Sequence, residues 1–185
     1  MALRNILTQQ DKTLRKVCRP VTDFGDRTAQ LLDDLRETLE DANGLGLAAP
    51  QVGILRRAVI IKREDEYVEL LNPVITQRSE QETGVYEGCL SCPGLRGWLM
   101  RPQTVQVHAQ DRTGRWFDLE CQDMPARAVC HELDHLDGIL FVDLVEETIT
   151  EEQLDEILQM LDSMEDEGQE EQDAPPEPAP EKEGS

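Results

Sequence analysis

The sequence has little positive charge. Its 185 residues include 18 lysines and arginines against 39 aspartates and glutamates, which gives a formal net charge of −21. Proteins that bind a phosphate backbone need clustered positive charge, so we expect no direct nucleic-acid binding. The imbalance is local, because residues 146–185 hold 16 of the acidic residues and only one lysine. The rest of the chain is mildly acidic.

Long apolar runs are also missing. No stretch approaches the roughly 18 apolar residues of a membrane-spanning helix, and residues 1–12 contain no apolar secretion segment. We therefore expect a cytoplasmic protein without a membrane partner. Five cysteines in a reducing compartment argue against a disulfide framework, and an odd number cannot pair completely. At least one cysteine is then available for another role.

The hydrophobic pattern predicts an α+β fold. Apolar residues at helical spacing predict helices over 31–42, 124–137 and 151–164. β-like runs occupy 57–62, 67–75, 104–110 and 115–121, with a hairpin turn at 111–114. Because the strands come mostly in the middle with helices around them, we expect mostly antiparallel β-sheets packed around a central helix, with N-terminal and C-terminal helices.

The end of the chain has the composition of a disordered segment. Residues 165–185 are mainly Glu, Asp, Gln, Pro and Gly, and their four prolines disfavour both helix and sheet. Such a segment cannot bury enough apolar surface to offset its ordering entropy. We expect residues 1–164 to form the folded domain and residues 165–185 a disordered acidic tail, which serves as a solvated spacer more readily than as a docking segment.

The strongest chemical signal is the run HELDH on the predicted central helix. His131 and His135 are four residues apart, so both imidazoles project from one face and can reach one metal ion. Glu132 lies close enough to handle a water on that ion. The alternative interpretation is a pair of partly buried histidines on a core-facing helix.

A tetrahedral catalytic site needs a third protein ligand and one open position. One class of metalloproteases takes its third ligand from a histidine three residues after a glycine that follows the motif. Here Gly138 is in place, but the position three residues later is Phe141, so that class is excluded. A glutamate on the following helix would complete the site of a metal-dependent endopeptidase, and residues 151, 152 and 156 are available. The residue pattern alone therefore allows a glutamate as the third metal ligand.

Cysteine is the other source of a ligand. Cys89 and Cys92 form a Cys-x-x-Cys pair, and with both histidines they would close a structural zinc site in a non-catalytic interaction protein. The 38 residues between Cys92 and His131 exceed zinc-finger spacing, and such a site has no use for Glu132.

Residues 44–51 (GLGLAAPQ) form a third notable segment. They resemble a dinucleotide-binding loop only superficially, because that loop follows a strand and opens a helix, whereas this one follows a predicted helix and runs into a proline. Its two glycines can let a substrate backbone approach closely, and Gln51 offers a neutral amide donor.

Together, these segments resemble the peptide deformylase family. That family carries Gly-x-Gly-x-Ala-Ala-x-Gln, Glu-Gly-Cys-x-Ser and His-Glu-x-x-His in this order, and all three are complete here as GLGLAAPQ, EGCLS and HELDH. The resemblance covers roughly residues 3–164 and matches the bacterial form that ends in a helix. It implies a metal-dependent hydrolase that removes the N-formyl group from the formyl-methionine of newly made polypeptides and releases formate.

The resemblance also implies roles for individual residues. One divalent ion would be held by Cys89, His131 and His135, with Fe²⁺ favoured and Zn²⁺ or Ni²⁺ also suited to such ligands. Glu132 would act as the general base, while Gln51 and the backbone N–H of Leu90 would stabilise the developing oxyanion. Formylated nascent peptides would be the partners, with a transient association with the ribosome.

The expected substrate runs as an added strand along backbone groups near Leu45, Gly46 and Gly88. An apolar pocket would take the methionine side chain, with linings at Leu45, Val85, Ala128 and Val129, for which ordinary core packing is the alternative. Arg96 would contact the peptide beyond methionine, and Glu87 would orient a metal ligand or Arg101.

Cys92 departs from the family pattern, which usually has an aliphatic residue there. It is either a small apolar filler or a thiol that pairs with Cys89 on oxidation. A disulfide would remove a metal ligand, so we expect a modest redox liability.

Overall fold

The computed structural model of the protein describes residues 2–172 and has the α+β architecture expected from the sequence. The chain divides into two compact units, of which the first ends at Thr148. Helices α1 (Asp26–Asp41) and α2 (Met124–Leu136) belong to this unit. Its strands are β1 (Gly46–Ala48), β2 (Ala58–Arg63), β3 (Glu66–Arg78), β4 (Glu82–Cys89), β5 (Cys92–Pro102), β6 (Thr104–Gln110) and β7 (Trp116–Gln122).

Five strands form one antiparallel sheet in the order β1-β2-β3-β6-β7. Strand β2 is buried on both of its faces. Val59 and Ile61 join the apolar cluster around α2, while Ala58 and Ile60 join the cluster around α1. A strand buried on two sides needs a continuous apolar run rather than alternation, and the sequence AVII supplies it.

Helix α2 is the central element. It begins after Asp123, whose positive φ of 56° turns the chain, and Pro125 occupies its first turn, where a missing N–H costs nothing. Ten of its residues are buried, and its apolar side packs into the large cluster beneath the sheet. The expectation of antiparallel sheets around a central helix is thereby confirmed.

Strands β4 and β5 pair as an antiparallel hairpin whose two-residue turn is Leu90-Ser91. The sequence pattern did not predict these two strands. Glycine and proline weaken the strand pattern between residues 84 and 97, and pairing overrides that weakness. The end of β4 therefore carries Glu87, Gly88 and Cys89.

The second described unit contains β8 (Ile149–Thr150) and α3 (Glu151–Gln172). A capping box opens the helix, because Thr150 Oγ1 accepts from the Gln153 N–H at 3.2 Å and Gln153 Oε1 accepts from the Thr150 N–H at 2.8 Å. The helix continues past the predicted end at residue 164 and takes up residues 165–172, which we assigned to the tail. Glu and Gln are good helix formers, and the first proline comes at Pro175.

The remainder of the predicted tail, residues 173–185, lies outside the described residues. Among the described helices, none is both long enough and apolar enough to cross a membrane.

Candidate metal centre

The β4–β5 turn and helix α2 bring three metal-binding side chains together. One ligand atom each from Cys89, His131 and His135 lies within 4.8 Å of the other two, and all three residues are buried. The Sγ of Cys89 is 3.3 Å from Nε2 of His135. A tetrahedral ion separates a sulfur from a nitrogen ligand by roughly 3.6 Å, given ordinary bond lengths. The donor set therefore fits a single divalent ion.

Local backbone structure explains how each ligand is aimed. His131 and His135 lie one turn apart on α2, with ring centroids 4.9 Å apart. The β4–β5 register shifts between Glu87 and Cys89, and such irregularities re-aim side chains near functional sites. Cys89 also lies directly across the turn from Cys92.

Glu87 orients the first histidine. Its Oε2 lies 3.1 Å from Nδ1 of His131, so the Nδ1–H donates to the carboxylate and Nε2 is left to face the site. Arg101 donates to the same carboxylate through Nε at 2.7 Å and Nη2 at 3.0 Å. Burial alone would raise the pKa of Glu87, but the hydrogen bonds from His131 and Arg101 lower it to about 2. The carboxylate thus remains ionised.

His135 and Glu132 each have one buried polar atom with no partner among the described residues. These atoms are Nδ1 of His135 and Oε2 of Glu132. Burial holds the pKa of His135 well below its ordinary value, which favours the neutral, metal-binding imidazole. Burial also raises the pKa of Glu132 to about 7. A buried polar atom without a partner is costly, and a bound water or substrate would satisfy Glu132.

The GLGLAAPQ segment adjoins this centre. Oε1 of Gln51 accepts from the Ala48 N–H at 2.8 Å, and its Nε2 donates to Ser91 Oγ at 3.2 Å and approaches Cys89 Sγ at 3.7 Å. Gly46 lies against Glu132, where an added Cβ would be 2.5 Å from Oε1. All three sequence motifs therefore converge on one place.

The other expected site residues differ in how far they are exposed to solvent. Leu45 is exposed, while Leu90, Val85 and Arg96 are half-buried. Gly88 adjoins the guanidinium of Arg96, which would have to move to admit a Cβ there. In contrast, Ala128 and Val129 belong to the large apolar cluster around α2.

Sequence reasoning missed Arg127. This residue is buried, and its Nη1 donates to Glu87 Oε1, the same carboxylate that holds His131. The signal was present in the sequence, because Arg127 stands four residues before His131 and so lies on the same helical face.

A buried Cys–His–His set with a buried carboxylate beside it, built on this α+β fold, fits a metal-dependent hydrolase. Comparison with known proteins identifies the family. Residues 3–167 match the polypeptide deformylase family. The peptide deformylase of Caldicellulosiruptor bescii is 53% identical over 156 residues, which cover 84% of this chain and 93% of that protein. The corresponding protein of Acetivibrio thermocellus is 46% identical over 155 residues, covering 84% and 91%.

Solved structures agree with this assignment. The crystal structure of peptide deformylase from Thermotoga maritima superposes with a TM-score of 0.75 at 33% identity, covering 77% of this chain and 97% of that one. The chain belongs to the peptide deformylase family. It is an enzyme that removes the N-formyl group from newly made peptides with the help of a metal ion. The endopeptidase and the non-catalytic interaction protein, which the residue pattern alone had left open, are thereby set aside.

Proposed function

We propose that Cys89, His131 and His135 hold the divalent ion of this deformylase. The proximity and burial of their three donor atoms support this assignment. We further propose Fe²⁺ as the native ion. Zn²⁺ or Ni²⁺ can take its place, because thiolate and imidazole ligands suit all three ions. When bound, such an ion supplies Lewis-acid chemistry at the formyl carbonyl.

Glu132 serves as the general base. Its Oε2 is buried and has no partner among the described residues, and its Oε1 lies against Gly46 of β1. The carboxylate takes one proton from the attacking water and passes it to the departing amine. The water oxygen bonds to the formyl carbon, the C–N bond of the formamide breaks, and formate and a free amino terminus leave. Water thus supplies every atom that the products gain.

Gln51 and the backbone N–H of Leu90 stabilise the oxyanion. The hydrogen bond from Ala48 fixes the side-chain amide of Gln51, so that its Nε2 is directed toward the Cys89 side of the site. Leu90 directly follows the proposed ligand Cys89 in the β4–β5 turn, which supports its role as the second donor. Donors held in place before the reaction cost no reorganisation when charge develops.

The substrate extends as an added strand along Leu45, Gly46 and Gly88. The exposed side chain of Leu45 and the half-buried side chain of Val85 support their assignment to the methionine pocket. Arg96 contacts the peptide beyond methionine, and its position beside Gly88 supports this role. Ala128 and Val129 complete the lining of this pocket, and their burial in the apolar cluster around α2 suits an apolar side chain.

We also propose that the enzyme works in the cytoplasm, where nascent formylated peptides arise, and associates transiently with the ribosome. Residues 1–164 would carry the activity and residues 165–185 would act as an acidic spacer. Deleting residues 165–185 should then leave deformylation and ribosome co-sedimentation unchanged. A loss of co-sedimentation would instead make the acidic segment a docking element.

Formate release from formyl-Met-Ala-Ser tests the central proposal. The protein is purified without oxygen and loaded with Fe²⁺ or Ni²⁺, and the parent is compared with Glu132→Gln. Loss of the base should lower kcat by about 10²–10⁴-fold while one ion per chain is retained. The exposed Glu66→Gln serves as the control and should match the parent. Full activity in Glu132→Gln would remove this residue from the mechanism.

A further inference from the structure

Arg127 connects the helix that carries the two histidines to the hairpin that carries Cys89. Its Nη1 donates to Oε1 of Glu87 and, at 3.1 Å, to the backbone carbonyl of Leu99 on β5. Its Nη2 donates to the carbonyl of Thr83 on β4. One side chain on α2 therefore binds both strands of the hairpin.

The shared carboxylate makes this connection relevant to the metal centre. Oε1 of Glu87 accepts from Arg127 and Arg101, while Oε2 accepts from His131 and Arg101. Arg101 is divided between two acids, because its Nη1 also donates to Asp134 at 2.8 Å. Among the described contacts, Arg101 donates to both Glu87 and Asp134, whereas Arg127 donates to no carboxylate other than Glu87.

The balance of charges around Glu87 also indicates that Arg127 matters to the metal centre. Glu87 and Asp134 provide two buried or half-buried carboxylates, and Arg101 and Arg127 provide two buried guanidiniums. Without Arg127, the Glu87 carboxylate would keep only the cation that Asp134 also holds. A buried carboxylate that loses one donor reorients toward the donors it keeps, and that movement alters its bond to His131.

We propose that Arg127 is a positioning residue, which fixes the Glu87–His131 pair and holds α2 in register with the hairpin end that carries Cys89. The inference rests on the proposed set of metal ligands. Arg127 acts through Glu87 and the two backbone carbonyls, and it has no direct part in the reaction. Residues that support a ligand in this way typically contribute about 10–100-fold to metal affinity or activity.

The test compares Arg127→Met and Arg127→Lys with the parent and with Arg115→Met, a matched control whose side chain is 84% exposed. Three readouts are the rate at which nickel-loaded protein loses its ion to a chelator, the visible absorption spectrum of cobalt-loaded protein, and kcat and KM for formyl-Met-Ala-Ser. The spectrum reports ligand geometry directly, and a residue that only stabilises the fold would leave it unchanged.

We expect Arg127→Met to lose nickel about 10–100-fold faster, to show an altered cobalt spectrum and to have a lower kcat at an unchanged KM. Arg127→Lys should recover part of each effect, because an ammonium keeps the charge but cannot reach several acceptors in a fixed fork. Nickel loss and a cobalt spectrum indistinguishable from those of the parent would overturn the inference. If Arg127→Met does not fold, Arg127→Lys decides by the same two readouts.

A failure of the proposed ligand set gives a different result. A parent protein that binds no nickel, or a His131→Ala variant that binds it as firmly as the parent, would overturn the ligand set and this inference together. Parent-like behaviour of the Arg127 variants alone would overturn only the positioning role.

Discussion

The Sγ of Cys89 lies 3.3 Å from Nε2 of His135, although 46 positions separate the two residues. This contact exists because the β4–β5 turn folds against α2, so the site depends on how the hairpin and the helix pack. The two histidines need only a regular helix to face one ion. The position of the Cys89 thiol depends on how the hairpin packs against the helix. Mutations of Cys89 and of the residues that hold it therefore test the site most directly.

Replacing Cys89 with serine should abolish both stoichiometric metal binding and deformylation. A serine hydroxyl remains protonated at neutral pH and is a much poorer ligand than a thiolate. Metal content per chain and formate release measure the effect, and Cys18→Ser, a buried thiol in another cluster, is the control. A Cys89→Ser protein that keeps one ion and its activity would show that a different residue completes the ligand set.

Gly46→Ala should lower kcat without unfolding the protein. The new methyl group would lie 2.5 Å from Oε1 of Glu132, so the carboxylate has to move from its position beside the ligands. The matched control is Gly25→Ala, whose methyl would meet a carboxylate oxygen of Asp23 at 3.1 Å, outside the site. Steady-state kinetics and thermal unfolding separate the two effects. Equal kcat in both variants would mean that the position of Glu132 is not critical.

Cys92→Val should protect the enzyme from oxidation by diamide. Directly opposed residues in an antiparallel pair have Cα atoms about 4.5–5.5 Å apart, which lies within the disulfide range, and Cys89 and Cys92 are such a pair. Two thiols would lose two protons and two electrons to form the S–S bond, and diamide would take them up as it becomes a hydrazine.

Activity and metal content after diamide treatment measure this liability. The parent should lose both and regain them after dithiothreitol and fresh ion, whereas Cys92→Val should keep them. Cys18→Val is the control and should behave as the parent does. Inactivation of Cys92→Val at the parental rate would exclude the disulfide.

Asp34→Asn should destabilise the fold at neutral pH. This buried carboxylate accepts from the Ala2 N–H, from Arg4 at 2.9 and 2.6 Å, and from Gln30 at 2.6 Å. Burial opposes ionisation, but the hydrogen bonds from Arg4 and Gln30 outweigh it and lower the pKa of Asp34. The loss of these charge-assisted bonds should reduce the free energy of unfolding by about 1–3 kcal/mol.

The sign of the pH dependence follows from the lowered pKa. The ionised carboxylate stabilises the folded state above the ordinary aspartate pKa, and this contribution is lost as the pH falls through the lowered pKa of folded Asp34. Urea unfolding at several pH values should therefore show a gap between parent and Asp34→Asn that narrows in acid. A gap that does not depend on pH would assign the effect to packing.

The sequence predicts some parts of this molecule better than others. Helix α2 and its histidine pair follow from local periodicity, which tertiary contacts do not disturb. The third ligand remained open on residue patterns alone, because Cys89 meets His135 only through long-range packing. Strands β4 and β5 escaped prediction for a related reason, since the glycines at 84, 88, 94 and 97 contradict strand propensity and only pairing restores it. Arg127 was missed because its three acceptors all lie on that hairpin.

Strand β2 has a consequence for the dynamics of the whole domain. Because its two faces belong to separate apolar clusters, local opening of either cluster leaves the other face of the strand covered. Its backbone amides can exchange their hydrogens with solvent only when both clusters open together. Hydrogen exchange in β2 should therefore report the global unfolding equilibrium, and the amides of Val59 to Ile61 should be among the last to become deuterated.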